Sequence, residues 1–183
     1  METEIEVKVL NVDLNEIEEK LIHLGAKLIA EELQVNTVID SEDSYIQKGL
    51  NSYLRIRETT DLLNNKKTTK LTFKKNLGAM KTRKNIEIST KIDNKEAMIK
   101  ILENLGYHVV REGFKKRKSY AFEGIKFDLD SWDENTYPYP YMEIEVKDQS
   151  DLDKAIRLLD IDEKNISTKS ITDLIEELKA SRD

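Results

Sequence analysis

Cysteine is absent from the 183-residue chain, which excludes disulfides and thiolate metal centres. Histidine is nearly absent. His23 and His108 are too few for a histidine-based zinc site, so any metal must be held by carboxylate oxygens, which favours Mg²⁺ or Mn²⁺. No apolar run is long enough to span a membrane, and the N-terminus lacks a signal-peptide pattern. The expectation is a cytoplasmic protein with no membrane partner. Basic residues are not in excess either: the net charge of −6 argues against a partner such as a nucleic-acid duplex. A local basic patch that captures a small polyanion remains compatible with that balance. Both prolines, Pro138 and Pro140, fall in one short stretch, which marks it as a loop.

What the chain has in quantity is charge, at 36% of residues, laid down with a period of two. Glu-Ile-Glu-Val-Lys occurs at Glu4–Lys8 and again at Glu143–Lys147. In a strand, alternate side chains share a face, so Glu4, Glu6 and Lys8 lie opposite Ile5, Val7 and Val9. The pattern recurs. Tyr53, Arg55 and Arg57 alternate with Leu54 and Ile56; Lys70, Thr72 and Lys74 with Leu71 and Phe73; Asn85, Glu87 and Ser89 with Ile86 and Ile88. Lys115 and Arg117 are two apart, as are Asp128 and Asp130. Such alternation predicts strands with one apolar and one ionic face. One strand of this kind has an ordinary solvated face; six of them point instead to a barrel with a polar lumen.

Acidic strands feed capped amphipathic helices in three places, opened by Asp13, Asp93 and Ser150. Asp13 and Glu16 precede an apolar stripe of Leu14, Ile17, Leu21 and Leu24, closed by Gly25. Asp93 and Glu96 precede Met98, Ile101, Leu102 and Leu105, closed by Gly106; Ser150 and Asp153 accompany Leu152, Ile156 and Leu159. A last helix is expected near Ser170, with Ile171, Leu174, Ile175 and Leu178 on one face. Residues 59–69 read as a hairpin loop and Asn76-Leu77-Gly78 as a turn. With no linker in view, the expectation is a single domain over 1–183.

The charged rows fit one chemistry. Carboxylates at Glu4, Glu6, Glu87, Asp130, Glu143 and Glu145 suit one or two divalent cations if the strands close round one space. Cations at Lys8, Arg55, Arg57, Lys74, Lys115 and Arg117 suit phosphate oxygens. Phosphoryl transfer needs little beyond such positioning and charge neutralisation.

In this order the residues resemble the CYTH superfamily, the triphosphate tunnel metalloenzymes. Glu4-x-Glu6-x-Lys8 is similar to its ExExK signature. Arg55-Ile56-Arg57, Leu71-Thr72-Phe73-Lys74, Arg83 with Glu87, Lys115-x-Arg117 with Tyr120, Asp130, and Glu143-x-Glu145 follow in the family's order. The resemblance implies an α+β fold: an eight-stranded antiparallel barrel with a charged tunnel, covered by amphipathic helices. It implies Mg²⁺ or Mn²⁺ on Glu4, Glu6, Glu143 and Glu145. It also implies a triphosphate-containing small molecule held by Lys8, Arg55, Arg57, Lys74, Lys115 and Arg117. Lys8, Glu6, Glu87 and Asp130 are the groups expected nearest the chemistry, Glu87 and Asp130 as secondary ligands or water-positioning groups. A homodimer is compatible with the family.

Asn85 departs from the pattern, standing where many members have an acid, and so do Trp132 and the Tyr137–Tyr141 segment. Lys70 and Lys147 share the inward parity but are expected to be solvated; Asp128 shares it too, and its role stays open between a partner of Asp130 in the lumen and a solvated barrel-end residue; Lys169 is a weaker candidate for the tunnel mouth. The two histidines read as ordinary surface or half-buried residues. The tyrosine segment either seals the barrel or stacks on an aromatic ring. Two reactions use the same walls: hydrolysis of a triphosphate, ranked first because it needs fewer special groups, and cyclisation of ATP by a class IV adenylyl cyclase. A third reading is a binding module without turnover.

Overall fold

The computed structural model describes residues 2–79 and 83–181; the side chains of residues 2–4, 77–79 and 83–84 fall outside that description, Glu4 and Arg83 among them. The elements run β1 (Glu2–Val9), α1 (Leu14–His23), β2 (Lys27–Ser41), β3 (Ser52–Asp61), β4 (Lys66–Ala79), β5 (Arg83–Lys91), α2 (Lys95–Asn104), β6 (Tyr107–Phe122), β7 (Ile125–Trp132), β8 (Tyr141–Val146), α3 (Gln149–Leu159), β9 (Ile166–Ser167) and α4 (Ile171–Ala180). None of the described helices is long and apolar enough to cross a membrane.

All ladders are antiparallel, in the order β5-β4-β3-β2-β6-β7-β8-β1-β9. A further ladder, Glu2↔Glu87 to Glu6↔Arg83, joins β1 back to β5. The first half of β1 therefore pairs with β5 and its second half with β8, and eight strands make a closed circuit. Among the described residues, closure leaves no long unpaired edge, and it creates an inside.

The period-two pattern decides what lies on each side. Apolar Val7, Val9, Phe127, Leu129, Met142 and Ile144 point outward and pack under Ile17 and Leu21 of α1 and Leu152, Ala155 and Leu159 of α3. Each fully buried aliphatic side chain contributes about 1.5–3 kcal/mol, so this contact anchors both helices. Cover is uneven. Helix α2 lies against β6 with no buried residue of its own, and Leu33 and Phe114 on the neighbouring outer face are exposed.

Helix starts follow short-range acceptors. Asp13 caps α1 by accepting from the N–H groups of Asn15 and Glu16. Ser170 and Asp173 form a reciprocal capping box on α4, where the sequence placed that helix. Asn94 caps α2 and Asp148 caps α3, each displaced by one or two residues from the expected cap because these side chains reach the first free N–H groups. Residues 59–69 are mostly strand, not loop. β3 runs to Asp61 and β4 starts at Lys66, because the Asp61 carboxylate accepts from Leu63 and Asn64 N–H and tightens the turn. The expected turn at Asn76-Leu77-Gly78 is instead a register shift within β4, between Asn76 and Ala79.

Candidate functional site

The inward rows surround one cavity of about 180 Å³. Its lining includes Glu6 and Lys8 of β1, Arg55 and Arg57 of β3, Lys74 of β4, Glu87 of β5, Lys115 and Arg117 of β6, and Glu143 and Glu145 of β8. Six strands thus deliver the predicted residues to one space. Asp130 is fully buried directly behind it, and the side chain of Glu4 lies outside the described residues.

The acids of β7 and β8 are tied to cations. Arg117 grips Asp130 with two parallel hydrogen bonds, Nε to Oδ1 at 2.6 Å and Nη2 to Oδ2 at 2.5 Å. The same guanidinium reaches Asp128 through Nη1 and Glu143 through Nη2, each at 2.6 Å. Lys115 Nζ adds a contact to Asp130 at 2.7 Å, and Lys8 holds Glu143 at 2.9 Å. Lys126 spans Asp128 and Glu145 at 3.0 Å each. Burial alone would raise the Glu143 and Asp128 carboxyls; Lys8 and Arg117 for the first, Arg117 and Lys126 for the second, outweigh it and hold both below the usual range. Of the two readings open for Asp128, the solvated barrel-end residue is therefore the one that does not hold. Asp128 is 2% exposed and takes a further hydrogen bond from Ser119.

On β1 and its neighbours, a lysine and an amide meet the acids. Lys74 Nζ lies 3.4 Å from Glu6 and 3.9 Å from Glu87, and Asn85 Nδ2 donates to Glu6 at 3.0 Å. Asn85, the departure from the acidic pattern, is itself wholly buried and acts as a donor to Glu6.

The β2–β3 wall has the opposite character. Among the described residues, no carboxylate lies within ion-pair distance of Arg55 or Arg57. Arg57 Nε donates to Asn36 Oδ1 at 2.8 Å, which fixes the amide orientation and leaves Asn36 Nδ2 buried without an acceptor. Arg55 Nε is buried without an acceptor as well. Burial, then the neighbouring Arg55 and Arg117, push the Arg57 guanidinium down to about 10. Burial and Arg117 likewise press the Lys115 ammonium down to about 7, against the pull of Asp130.

Sequence reasoning missed Asn36 and Arg111, which also line the cavity. Arg111 extends the inward row of Lys115 and Arg117 by two more steps of two residues, a signal hidden by Gly113 between them. Lys70 and Lys147 are exposed as expected, and Lys169 pairs with Glu177 on α4 at 2.6 Å. The tyrosine segment packs inward: Tyr137 and Tyr141 cluster with Leu174 and Ile175 of α4, and Trp132 Nε1 donates to the Tyr141 hydroxyl at 2.8 Å. Loop 133–140 and α4 thereby lie together at one end of the barrel.

A divalent cation can be tested against this donor set by its chemistry. Glu6 and Glu145 are cross-strand partners in the β1–β8 ladder, and Glu145 is only half-shielded. The donors are carboxylate oxygens throughout, which suit a hard ion. Among the described residues no three acids converge on one point, because each carboxylate is turned toward a cation or amide. The residues fit such an ion by donor type, with their carboxylates turned to cations or amides in this arrangement.

Comparison with known proteins bears on the family and the fold. The family model for the CYTH domain matches residues 2–172. A Methanocaldococcus jannaschii protein, provisionally named an adenylate cyclase, is 30% identical over 179 residues, covering 93% of this chain and 97% of that protein. Among solved structures, the PH1819 protein of Pyrococcus horikoshii superimposes with a TM-score of 0.79 at 23% identity, over 95% of this chain and 98% of that one. A Hippeastrum protein, provisionally an adenylyl cyclase and described as having a dominant triphosphatase activity, gives a TM-score of 0.70 at 17% identity, over 97% and 96% of the two chains. At these identities the structural likeness speaks to the fold.

Proposed function

The chain belongs to the CYTH domain family, and from that premise we propose that it is a metal-dependent triphosphatase acting on a triphosphate bound in the barrel lumen. One observation carries the reading: the β2–β3 wall has more donors than acceptors. Arg55 and Arg57 lack carboxylate partners among the described residues, and two buried N–H groups beside them, Arg55 Nε and Asn36 Nδ2, lack any acceptor. A buried donor left unpaired costs about 1–3 kcal/mol, more when charged. A polyanion supplies the missing acceptors, and guanidinium forks match its oxygens two at a time.

Residue roles follow from position. Arg55, Arg57 and the Asn36 amide hold non-bridging phosphate oxygens from one side. Lys74, Lys8 and Lys115 neutralise charge from the others. Asp130, with both oxygens taken by Lys115 and Arg117, acts as a positioning residue behind the cations. Glu87 is partly accessible and accepts from Ser89 at 2.9 Å, so it is the acid placed to orient an attacking water. Glu4, Glu6, Glu143 and Glu145 would hold Mg²⁺ or Mn²⁺, which when bound polarises a phosphoryl oxygen and lowers the pKa of water. The water oxygen attacks the terminal phosphorus, the phosphoanhydride bond breaks, and orthophosphate leaves with a shortened diphosphate product.

Incubation with tripolyphosphate, ATP and thiamine triphosphate under Mg²⁺ or Mn²⁺ tests this. Orthophosphate release is expected, reduced about 100-fold by Glu6→Ala. Cyclic AMP and pyrophosphate from ATP, the reaction named for the Methanocaldococcus relative, would replace this reading with a cyclase. Tight binding without turnover would leave a binding module.

A further inference from the structure

Arg111 belongs to none of the sequence motifs, yet its side chain lines the same cavity. On β2 its cross-strand neighbour is Val38, and on the other side of Val38 stands Arg55. Two arginines therefore flank one short apolar residue at the same level of the barrel. Adjacent strands are about 4.8 Å apart, so the two backbones are separated by roughly 10 Å, within which two guanidinium forks can meet on one phosphate.

The cations of β6 are not equivalent. Lys115 and Arg117 are occupied by Asp130, Asp128 and Glu143. Arg111 has no carboxylate within ion-pair distance among the described residues; its Nη2 donates at 3.0 Å to the neutral Thr172 hydroxyl. Glu176 of α4 acts on it only from further away, and Glu176 accepts from Gln47 at 2.6 Å. Burial holds the Arg111 guanidinium below its ordinary pKa, the mark of a cation without a matching counter-charge.

Spacing along the barrel gives this pair a role. Arg57 lies two residues from Arg55 on β3, about 6.6 Å of strand, comparable with three linked phosphoryl groups. A chain of two phosphoryl groups is too short to engage both levels fully.

We propose that Arg111 and Arg55 form a terminal phosphate clamp that makes the tunnel prefer three linked phosphoryl groups over two. The clamp rests on the triphosphate-binding reading above. Arg111 is a specificity-determining residue in this account, and Thr172 merely parks its guanidinium.

Calorimetric titration with tripolyphosphate and with pyrophosphate, both in EDTA so that no turnover occurs, tests the clamp. The parent protein should bind tripolyphosphate more tightly. Arg111→Met, which keeps the aliphatic stem, should reduce the ratio of the two affinities about tenfold, and Arg111→Lys should recover part of it. Thr172→Val separates anion binding from anchoring of α4. It removes the hydrogen bond but keeps the charge, so the ratio should stay the same or rise. An unchanged ratio in Arg111→Met, or an equal loss in Thr172→Val, would overturn the clamp. Should Arg111→Met fail to fold, the comparison of Arg111→Lys with Thr172→Val decides: loss in the lysine variant alone supports the clamp, and loss in both or neither overturns it. If the parent binds neither anion, the triphosphate reading fails. If Arg57→Ala loses binding while Arg111→Met keeps its ratio, only the clamp fails.

Discussion

Two walls of one lumen use the same residue type in opposite ways. On the β6–β7–β8 side, Arg117 touches three carboxylates within 2.6 Å. On the β2–β3 side, Arg57 touches an amide oxygen and Arg55 has a buried Nε with no acceptor. Arg117 and Arg57 are both partly buried, so the contrast is one of partners and not of exposure class. The Arg117 guanidinium is held well above its ordinary pKa, because Asp128 and Asp130 overcome the cost of burial, whereas that of Arg57 is pushed down to about 10. Satisfied charge is scaffold. Unsatisfied charge is binding capacity, kept at a cost in stability.

The largest effect should come from breaking the satisfied wall. Arg117→Ala leaves Asp128, Asp130 and Glu143 without their shared cation. Removing one partner of a buried ionic cluster costs about 3–5 kcal/mol. For a chain of this size that lowers Tm by about 6–20 °C, which a melting curve reads directly. A Tm within two degrees of the parent would mean that the cluster is not the scaffold described.

A smaller effect sharpens the boundary between the walls, where Lys115 stands. Burial, with Arg117 beside it, places its ammonium at about 7, while Asp130 contacts it at 2.7 Å. A bound polyanion favours the protonated form and raises that value. The free protein then loses the proton near pH 7 while the complex keeps it. Affinity should fall as pH rises above 7, by up to about tenfold per unit, until the bound-state value is reached. Binding should take up protons in that window, measurable by calorimetry in buffers of different ionisation enthalpy. Flat affinity from pH 7 to 9 would assign Lys115 wholly to the scaffold.

The smallest effect belongs to the open end of the paired wall. Lys126 also bridges two acids, but its side chain is 36% exposed. Solvent screening limits such pairs, so Lys126→Ala should cost less than about 1 kcal/mol. A loss matching that of Arg117→Ala would erase the distinction between interior and rim.

Which residues face inward was legible from the chain, because strict alternation of charge and hydrocarbon leaves only one way to bury the apolar rows. Glu6, Arg57, Lys74 and Glu143 reach the cavity for that reason. Which cation meets which acid was not legible. Arg117 lies opposite Asp130 through the register of the β6–β7 hairpin, and one step of slippage would give other pairs. The place of Asp128 was not legible on the same ground: parity left it open between lumen and solvent, and Arg117, Lys126 and Ser119 enclose it. Arg111 was hidden by Gly113, which interrupts the charged row. A Cβ there would lie 2.5 Å from Thr136 Oγ1, so the loop residue occupies the space a side chain would need. The helix caps shifted by one or two residues because Asn94 and Asp148 compete locally with Asp93 and Ser150.

Arg57→Met tests the contrast between the walls most directly, with melting temperature and tripolyphosphate affinity in EDTA measured on the same sample. A Tm equal to or above that of the parent is expected, since a partly buried cation without a carboxylate partner among the described residues is removed, together with a loss of affinity of about 30-fold or more. A lowered Tm with unchanged affinity would show that Arg57 is scaffold, and that the anion, if one binds, is held elsewhere.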